Sequence, residues 1–592
     1  MKSSAPGPDF VHIDMIKNLN SNSKDTILKF FNIIWKLQKI PAEWRKAYII
    51  PLLKPGKTPS DPTSYRPISL TNSLCKLMEK IVNNRLRDYL EEHKHFDPMQ
   101  FGFRTQRSAM DLLQLIHQQI CDGFANSQFT VVISFDLEKA FDRLWRHKII
   151  TTLQQWNLRG NIANFITQFL TDRKFQVRID EILSAEFIQE NGTPQGSVIS
   201  PTLFIMAISD LVKVIKPPVK YLLFADDLTI YMTAHNIDSL HITLQNTIDD
   251  LQKWASEQGL TFSPTKTQCI TFSNKRKTPP ACIFTLNGQQ IPTNHTLKIL
   301  GMLFDRKLTW CNHIHELKIR CTQGLNVLKM ISHLNWGADR KMLEILYKSL
   351  IRSKLDYGAI LYDSAKPKMT QKLEVIQNTA IRLVTGAFHT SPIPSLQVEA
   401  NIAPLHLRRK FLALKYLIKH TQKLSPKFST LYAKNKNLPQ PISIRLQNEF
   451  RNLNILQQET QKQKLKKIKK FILSLWQTEW ETKHTNTKLY RIKPKISKWF
   501  TSYRTRRREE IATTRIRIGH SLLTHSHLLE KKDPPICISC NAPLSIEHLI
   551  VECPKYARRR QWKNLEEAAG DEELAVQKLF TYLQSYNLIN SI

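Results

Sequence analysis

Phe224-Ala225-Asp226-Asp227-Leu228-Thr229-Ile230-Tyr231, preceded by an apolar run, reads as two short strands joined by a turn that carries adjacent carboxylates. Far upstream, Val131-Val132-Ile133-Ser134-Phe135 is a second buried-strand pattern. It finishes on a carboxylate, Asp136, ahead of the helix-like Leu137-Glu138-Lys139-Ala140-Phe141-Asp142. Three carboxylates at the tips of neighbouring strands cannot all stay ionised together, since each pair repels by about 4 kcal/mol at ~4 Å with an effective dielectric near 20. Divalent metal removes the conflict. Two Mg2+ ions roughly 3.5–4 Å apart are what in-line phosphoryl transfer requires, one activating an attacking 3′-hydroxyl and one neutralising a leaving pyrophosphate. An Asp-Asp pair alone is ordinary turn chemistry, so the weight falls on the combination.

Between the two acidic strands lies Asn191-Gly192-Thr193-Pro194-Gln195-Gly196-Ser197-Val198-Ile199-Ser200-Pro201. This Gly/Pro-punctuated loop opens a helix near Pro201 and suits close backbone approach to a nucleotide or template. The ordered set FDLEKAFD, GTPQGSVISPTLF and FADD resembles the palm of reverse transcriptases encoded by non-LTR retrotransposons, most similar to jockey-type elements. The resemblance extends on both sides. Trp44 to Lys57 with Ser64-Tyr65-Arg66-Pro67-Ile68-Ser69-Leu70 matches the family's fingers pattern, and Phe101-Gly102-Phe103-Arg104 follows it as it does there. Downstream, Trp254 with Gly259 to Thr267 resembles the next palm motif, and Leu300 to Asp305 resembles the primer-grip strand. Ala5-Pro6-Gly7-Pro8-Asp9 looks like the segment that opens the family's polymerase region.

That resemblance implies an α+β right-hand polymerase and assigns roles residue by residue. Asp136 and Asp226 are expected to bridge two Mg2+ ions, with Asp227 holding one ion or supporting the site. Asp142, six residues past Asp136, reads instead as fixing a helix turn or a salt bridge. Phe141 matches the family's steric gate, which occupies the space of a ribose 2′-hydroxyl and so favours dNTPs; plain core packing is the competing reading. Lys54 and Arg66 fall where similar polymerases present cations to the triphosphate, although either could be a solvated loop charge. Gln195 aligns with the loop residue that packs against nucleotide and template. Lys266 matches a lysine thought to protonate the departing pyrophosphate, against the alternative of a surface charge.

Lys and Arg outnumber Asp and Glu 86 to 50 in the 592 residues, a formal charge of +36 that calls for a polyanionic partner. The surplus is concentrated: from Gln461 to Glu510 we count 16 basic against 4 acidic residues, interleaved with Trp476, Trp480, Tyr490, Trp499, Phe500 and Tyr503. Such a pattern suits base stacking with phosphate neutralisation, or an amphipathic helix whose aromatics are core and whose lysines are wet. Nothing at the start resembles a signal peptide, and no apolar run approaches a membrane span. Six of the nine cysteines are scattered, as expected of reduced thiols. Cys537, Cys540, His548 and Cys553 form a C-x2-C-x7-H-x4-C set suited to one tetrahedral structural Zn2+, and His520, His525 and His527 lie near enough in sequence to substitute for His548. The middle gap differs from that of a retroviral knuckle, so knuckle-style readout of RNA is not implied.

The expected organisation is fingers with an N-terminal extension over 1–130, palm over 131–305 and helical thumb over 306–395. A basic helical connector follows over 396–510, punctuated by Pro404, Pro426, Pro439, Pro441 and Pro494, and a zinc module closes the chain over 511–592. Ser108 to Asp111 reads as a capping box opening a helix through Leu112 and Ile116. The implied activity is RNA-directed DNA polymerisation on an RNA template from a DNA primer or target with dNTPs, as in target-primed reverse transcription. No membrane partner is expected, and the expected location is intracellular, in nucleus, cytoplasm or both, with the nucleus expected for target-primed synthesis. The endonuclease that commonly precedes such polymerases has no counterpart before the first motif, and no ribonuclease H pattern follows residue 400. The alternatives are a catalytically silent nucleic-acid-binding remnant that uses the connector and zinc module, and an RNA-synthesising palm polymerase.

Overall fold

The computed structural model describes residues 5–277, 282–420, 442–456, 458–589 and 591–592. The chain divides into two units, Met1–Gly301 and Met302–Ile592. The first is built on a four-stranded antiparallel sheet in the order Lys220–Phe224, Asp227–Ala234, Phe129–Phe135, Gln268–Phe272. Phe129–Phe135 is central and almost wholly buried, which is why it reads as a near-continuous apolar run rather than an alternating one. It pairs with Asp227–Ala234 from Phe129 opposite Ala234 to Phe135 opposite Leu228. The helix Ile237–Glu257 carries Leu240, Leu244, Ile248 and Leu251 at helical spacing, and all four are buried in the core that also holds Val131, Ile133, Leu228 and Ile230.

A second sheet is centred on Lys46–Leu53, antiparallel to Tyr65–Thr71 and parallel to Lys174–Ile179. The hairpin sets Pro51 opposite Pro67, and Lys54 to Ser64 is its loop. The helix Ala109–Ala125 begins where the sequence indicated, but the capping box does not form. Ser108 Oγ donates to the Asp111 carboxylate at 2.8 Å instead of capping the backbone, because the two short side chains meet each other first.

The second unit is mainly helical. Cys311–Ile331, Arg340–Tyr347, Pro367–Thr385, Leu405–His420, Gln461–Lys483, Arg507–Ile518 and Glu573–Ser585 are its principal helices. Of the leucines, isoleucines and alanine that recur there at helical spacing, Leu343, Ile351, Leu355, Leu373, Ile376 and Ala380 are buried, while Leu346, Leu350 and Leu383 are half-buried. Gln461–Lys483 resolves the double reading of the basic stretch. Ile468, Ile472, Trp476 and Trp480 recur every fourth residue and are buried, while Lys462, Lys466, Lys469 and Lys470 stay exposed. Trp476 and Trp480 are therefore core side chains rather than stacking platforms, because the helix has only one apolar stripe and must bury it. The expected boundaries at 395/396 and 510/511 fall inside this unit, and Pro426, Pro439 and Pro441 lie outside the described residues. Among the described residues no helix is long and apolar enough to cross a membrane.

Candidate active site and metal centre

Register brings the acidic residues together. Phe135 lies opposite Leu228, so Asp136 leaves the central strand beside Asp227, while the hairpin closing Phe224 on Asp227 leaves Ala225 and Asp226 as its two turn residues. Ala225 adopts φ +59, a left-handed conformation that costs a non-glycine residue about 1–2 kcal/mol. Gln100, buried in the first unit, holds the turn in that state. Its Oε1 accepts hydrogen bonds from Gly102 N at 2.8 Å and Ala225 N at 3.0 Å, and its Nε2 donates to Ala225 O at 3.4 Å. Phe101 N donates to Leu223 O and Leu223 N to Met99 O, so this segment runs along the hairpin. A Cβ on Gly102 would collide with Ala225 N.

The clustering has an electrostatic signature. Burial, then Asp226, then Asp136 push the Asp227 carboxyl up to about 6, even though the side chain keeps an open path to solvent. Burial and the charge of Asp136 likewise raise Asp226. Among the described residues one cation pairs with this group: Lys266 Nζ lies 3.0 Å from Asp136 Oδ2. It arrives there because residues 136–138 run beside 261–263, with Ser263 N donating to Asp136 O and Glu138 N to Thr261 O.

The same strand exit positions the nucleotide-side candidates. Phe141, in the short helix Ala140–Arg143, stacks on Phe204 at 4.5 Å and meets Phe103 edge-on, leaving it half-buried. Gln195 Nε2 donates to both carboxylate oxygens of Asp142 at 3.2 Å. Asp142 therefore acts through Gln195 rather than through a salt bridge or helix turn. Its carboxyl is raised by burial and pulled back by Gln195, Lys139 and Lys54, which puts Lys54 within electrostatic reach. Lys54 Nζ itself donates to Thr63 O at 2.9 Å within the hairpin loop. Arg66 is exposed on the neighbouring strand, and no hydrogen bond or ion pair ties its side chain to another described residue.

The loop before Pro201 is fixed from beneath. Gly192 at φ +73 sits where a Cβ would strike Phe141 O and Asp142 O. Ser69 N donates to Gln195 O at 2.7 Å. Glu79, fully buried, accepts from Ser197 Oγ, from Val198 N at 2.7 Å and from Ile199 N at 3.2 Å. Sequence reading missed Gln100 and Glu79, and it quoted Gly102 in a motif without giving it a task. Glu79 had a signal: it falls on the stripe of Cys75, Met78, Val82 and Leu86, where an acid must have a buried partner.

Cys537, Cys540, His548 and Cys553 offer ligand atoms all within 4.8 Å of one another. Cys537 and Cys540 lie on the turn before Ala542, and His548 and Cys553 bracket a helical turn whose Leu549 and Ile550 enter the C-terminal core. His548 Nδ1 faces Glu552 at 3.3 Å, while its Nε2 is buried without a hydrogen-bond partner. The adjacent His548 imidazole draws the Cys537 thiol down to about 6. The competing histidines do not join this group: His520 bonds Thr390 at 2.9 Å and stacks on His525, and the His527 ring lies 6.1 Å from that of His525. Arg560, from the basic run after Cys553, donates to the carbonyls of Ile550 and Cys553.

Residues 52–304 match the family described as Reverse transcriptase (RNA-dependent DNA polymerase). The RNA-directed DNA polymerase from mobile element jockey of Drosophila melanogaster is 28% identical over 72% of this chain and 47% of its own length. The probable RNA-directed DNA polymerase from transposon BS of the same species is 28% identical over 64% and 43%. The Pol polyprotein from type-1 retrotransposable element R1 of Bradysia coprophila is 22% identical over 93% and 53%. The chain spans about half the length of the curated relatives it matches. Among solved structures, telomerase from Candida tropicalis covers 70% of this chain and 73% of its own, at 10% identity and a TM-score of 0.33.

Proposed function

We propose that the protein, whose residues 52–304 match the reverse transcriptase family and which is similar to the polymerases of jockey and related non-LTR elements, is an RNA-directed DNA polymerase that extends a DNA 3′ end along an RNA template. The observation that carries this reading is the meeting of Asp136, Asp226 and Asp227 with Asp227 raised to about 6. Such a cluster holds its own negative charge poorly, which is the condition divalent cations relieve.

Asp136, Asp226 and Asp227 would together hold two Mg2+ ions. Bound there, the ions would supply activation of the 3′-hydroxyl and neutralisation of the leaving pyrophosphate. The side chains around them divide the remaining work. Phe141, stiffened by its stack on Phe204, would close the space a 2′-hydroxyl needs and so select dNTPs. Asp142 would hold Gln195 against the base pair being formed. Lys54 and Arg66 would meet the triphosphate, Arg66 with a guanidinium that no protein acid occupies among the described residues. Lys266 would hand its proton to a pyrophosphate oxygen when it leaves Asp136.

Cys537, Cys540, His548 and Cys553 would hold one structural Zn2+. Three sulfurs and an orphaned buried imidazole nitrogen form the donor set that ion prefers. In the cell the substrates would be an element RNA and nicked chromosomal DNA, in target-primed synthesis, which requires the nucleus. Primer extension on an RNA template with dNTPs tests the reading. Wild type extends and Asp226→Asn does not, while Phe141→Ala accepts NTPs; a wild type that binds template and primer without extending, with Mg2+ present, overturns it.

A further inference from the structure

Trp336, in the second unit, is 68% exposed, and it does not dangle. The turn that carries it is closed by Gly337 N donating to His333 O at 3.1 Å and Ala338 N to Ile331 O at 2.8 Å. His333 stacks against one face of the indole, with ring centroids 4.8 Å apart and planes 12° from parallel. Asn335 N donates to His333 Nδ1 and fixes that imidazole in turn. A tryptophan held flat and rigid while open to water forgoes much of the gain its burial would give.

Opposite lies a basic wall. A cavity of about 450 Å3 is lined by Asn335, Trp336 and Gly337 on one side and by Thr505 to Arg508 on the other. Arg507 is buried and spends its guanidinium on Leu383 O, Val384 O and Glu510. That anchorage leaves Arg506 and Arg508 exposed on either side of it, and neither forms an ion pair with a described residue. Arg506 also N-caps the helix Arg507–Ile518 without a side-chain hydrogen bond, so the helix's positive end opens at the same place. The nearby acids are already engaged: Glu510 with Arg507, Glu509 with Arg504 at 3.7 Å, and Asp339 with the backbone of Met342.

We propose that this cleft binds single-stranded nucleic acid, one unpaired base stacking on Trp336 and the flanking phosphates lying between Arg506 and Arg508. An aromatic face recognises any base and two free guanidiniums recognise the backbone, so the site is sequence-tolerant. The site extends the polymerase reading by giving its template or displaced strand a grip outside the 52–304 domain, and it rests on that reading only for which strand enters.

The test is fluorescence anisotropy of a labelled oligo(A) RNA and a labelled oligo(dT) DNA with the full chain, over a range of salt. Trp336→Ala is expected to weaken binding of a single strand by about 5- to 100-fold, and Trp336→Phe to retain most of it. Arg506→Gln with Arg508→Gln is expected to flatten the salt slope by about 1–1.5. Weakening of one oligonucleotide alone assigns the strand. Unchanged affinity of Trp336→Ala for both strands overturns the site, as does equal weakening for a blunt duplex, which has no base to stack. Because the readout is binding, a wild type that never extends a primer removes the polymerase reading and leaves this one standing. Active primer extension with unaltered Trp336→Ala binding does the reverse.

Discussion

Two acidic centres in this chain, one open to solvent and one buried, have opposite charge balance. At the tip of the central sheet Asp136, Asp226 and Asp227 face one cation among the described residues, Lys266, and burial together with the neighbouring carboxylates drives Asp227 up to about 6. In the second unit Glu399 is wholly buried, yet Arg517, Arg340 and Lys493 outweigh that burial and hold its carboxyl below the usual range. Arg340 Nη1 lies 3.1 Å from Glu399 Oε1, Ser502 Oγ donates to the same oxygen at 2.8 Å, and Lys493 donates to Val398 O. Lys493 and Arg517 sit at 4.5 and 4.4 Å from the Trp499 ring centroid. The first centre leaves charge for an outside cation to complete. The second is closed by the chain's own cations and ties together segments from residues 340 to 517. Acids left in surplus mark chemistry, and an acid enclosed by cations marks architecture.

That contrast makes opposite forecasts for the same chemical change. Asp226→Asn is expected to cut primer extension by about three or more orders of magnitude, the scale of a lost metal ligand, with no loss in thermal unfolding temperature because it removes a repulsion. A large drop in that temperature would erase the distinction. Glu399→Gln should behave conversely, lowering stability by about 3–5 kcal/mol in urea unfolding, since the cations around it would be left buried and uncompensated. A smaller effect, of about 1–3 kcal/mol in stability and roughly 10- to 100-fold in extension rate, is expected for Gly102→Ala, whose new methyl group must displace the Ala225 backbone and with it Asp226.

The smallest forecast sharpens the second centre. Burial, with Arg517 and Arg340, lowers Lys493 to about 8 against its ordinary 10.5. A folded-state value below the unfolded one means that this group's stability is complete above 10.5 and is lost as pH falls through 8. Wild type should therefore gain on the order of 1 kcal/mol per pH unit between those limits relative to Lys493→Met, measured as the difference in urea midpoints. Parallel pH profiles for the two proteins would show that Lys493 is not strained by its neighbours.

Much of the candidate site was legible because its signals are local. A strand that ends on an acid, two strands flanking an Asp-Asp turn, and C-x2-C with a later histidine and cysteine are readable within a few residues each. The helix after Gln195 was equally plain, since Pro201 sits at its first turn. The supporting residues were not. Gln100 is an uncharged side chain in a loop, and only contact with a hairpin more than a hundred residues away gives it a task. Asp142 was read as a helix-end charge because the partner that occupies it, Gln195, arrives through a loop crossing. Trp476 and Trp480 carried two readings until packing chose between them.

By itself the sequence determined the carboxylates, the thiol and imidazole set, the excess of positive charge and the spacing of apolar stripes, because side-chain chemistry and helix or strand period are properties of neighbours along the chain. Tertiary structure decided which acids would be left in surplus and which surrounded by cations, and which aromatic would be buried and which held open to water. Those outcomes depend on dielectric and distance between residues remote in sequence, and a chain acquires both only when it folds.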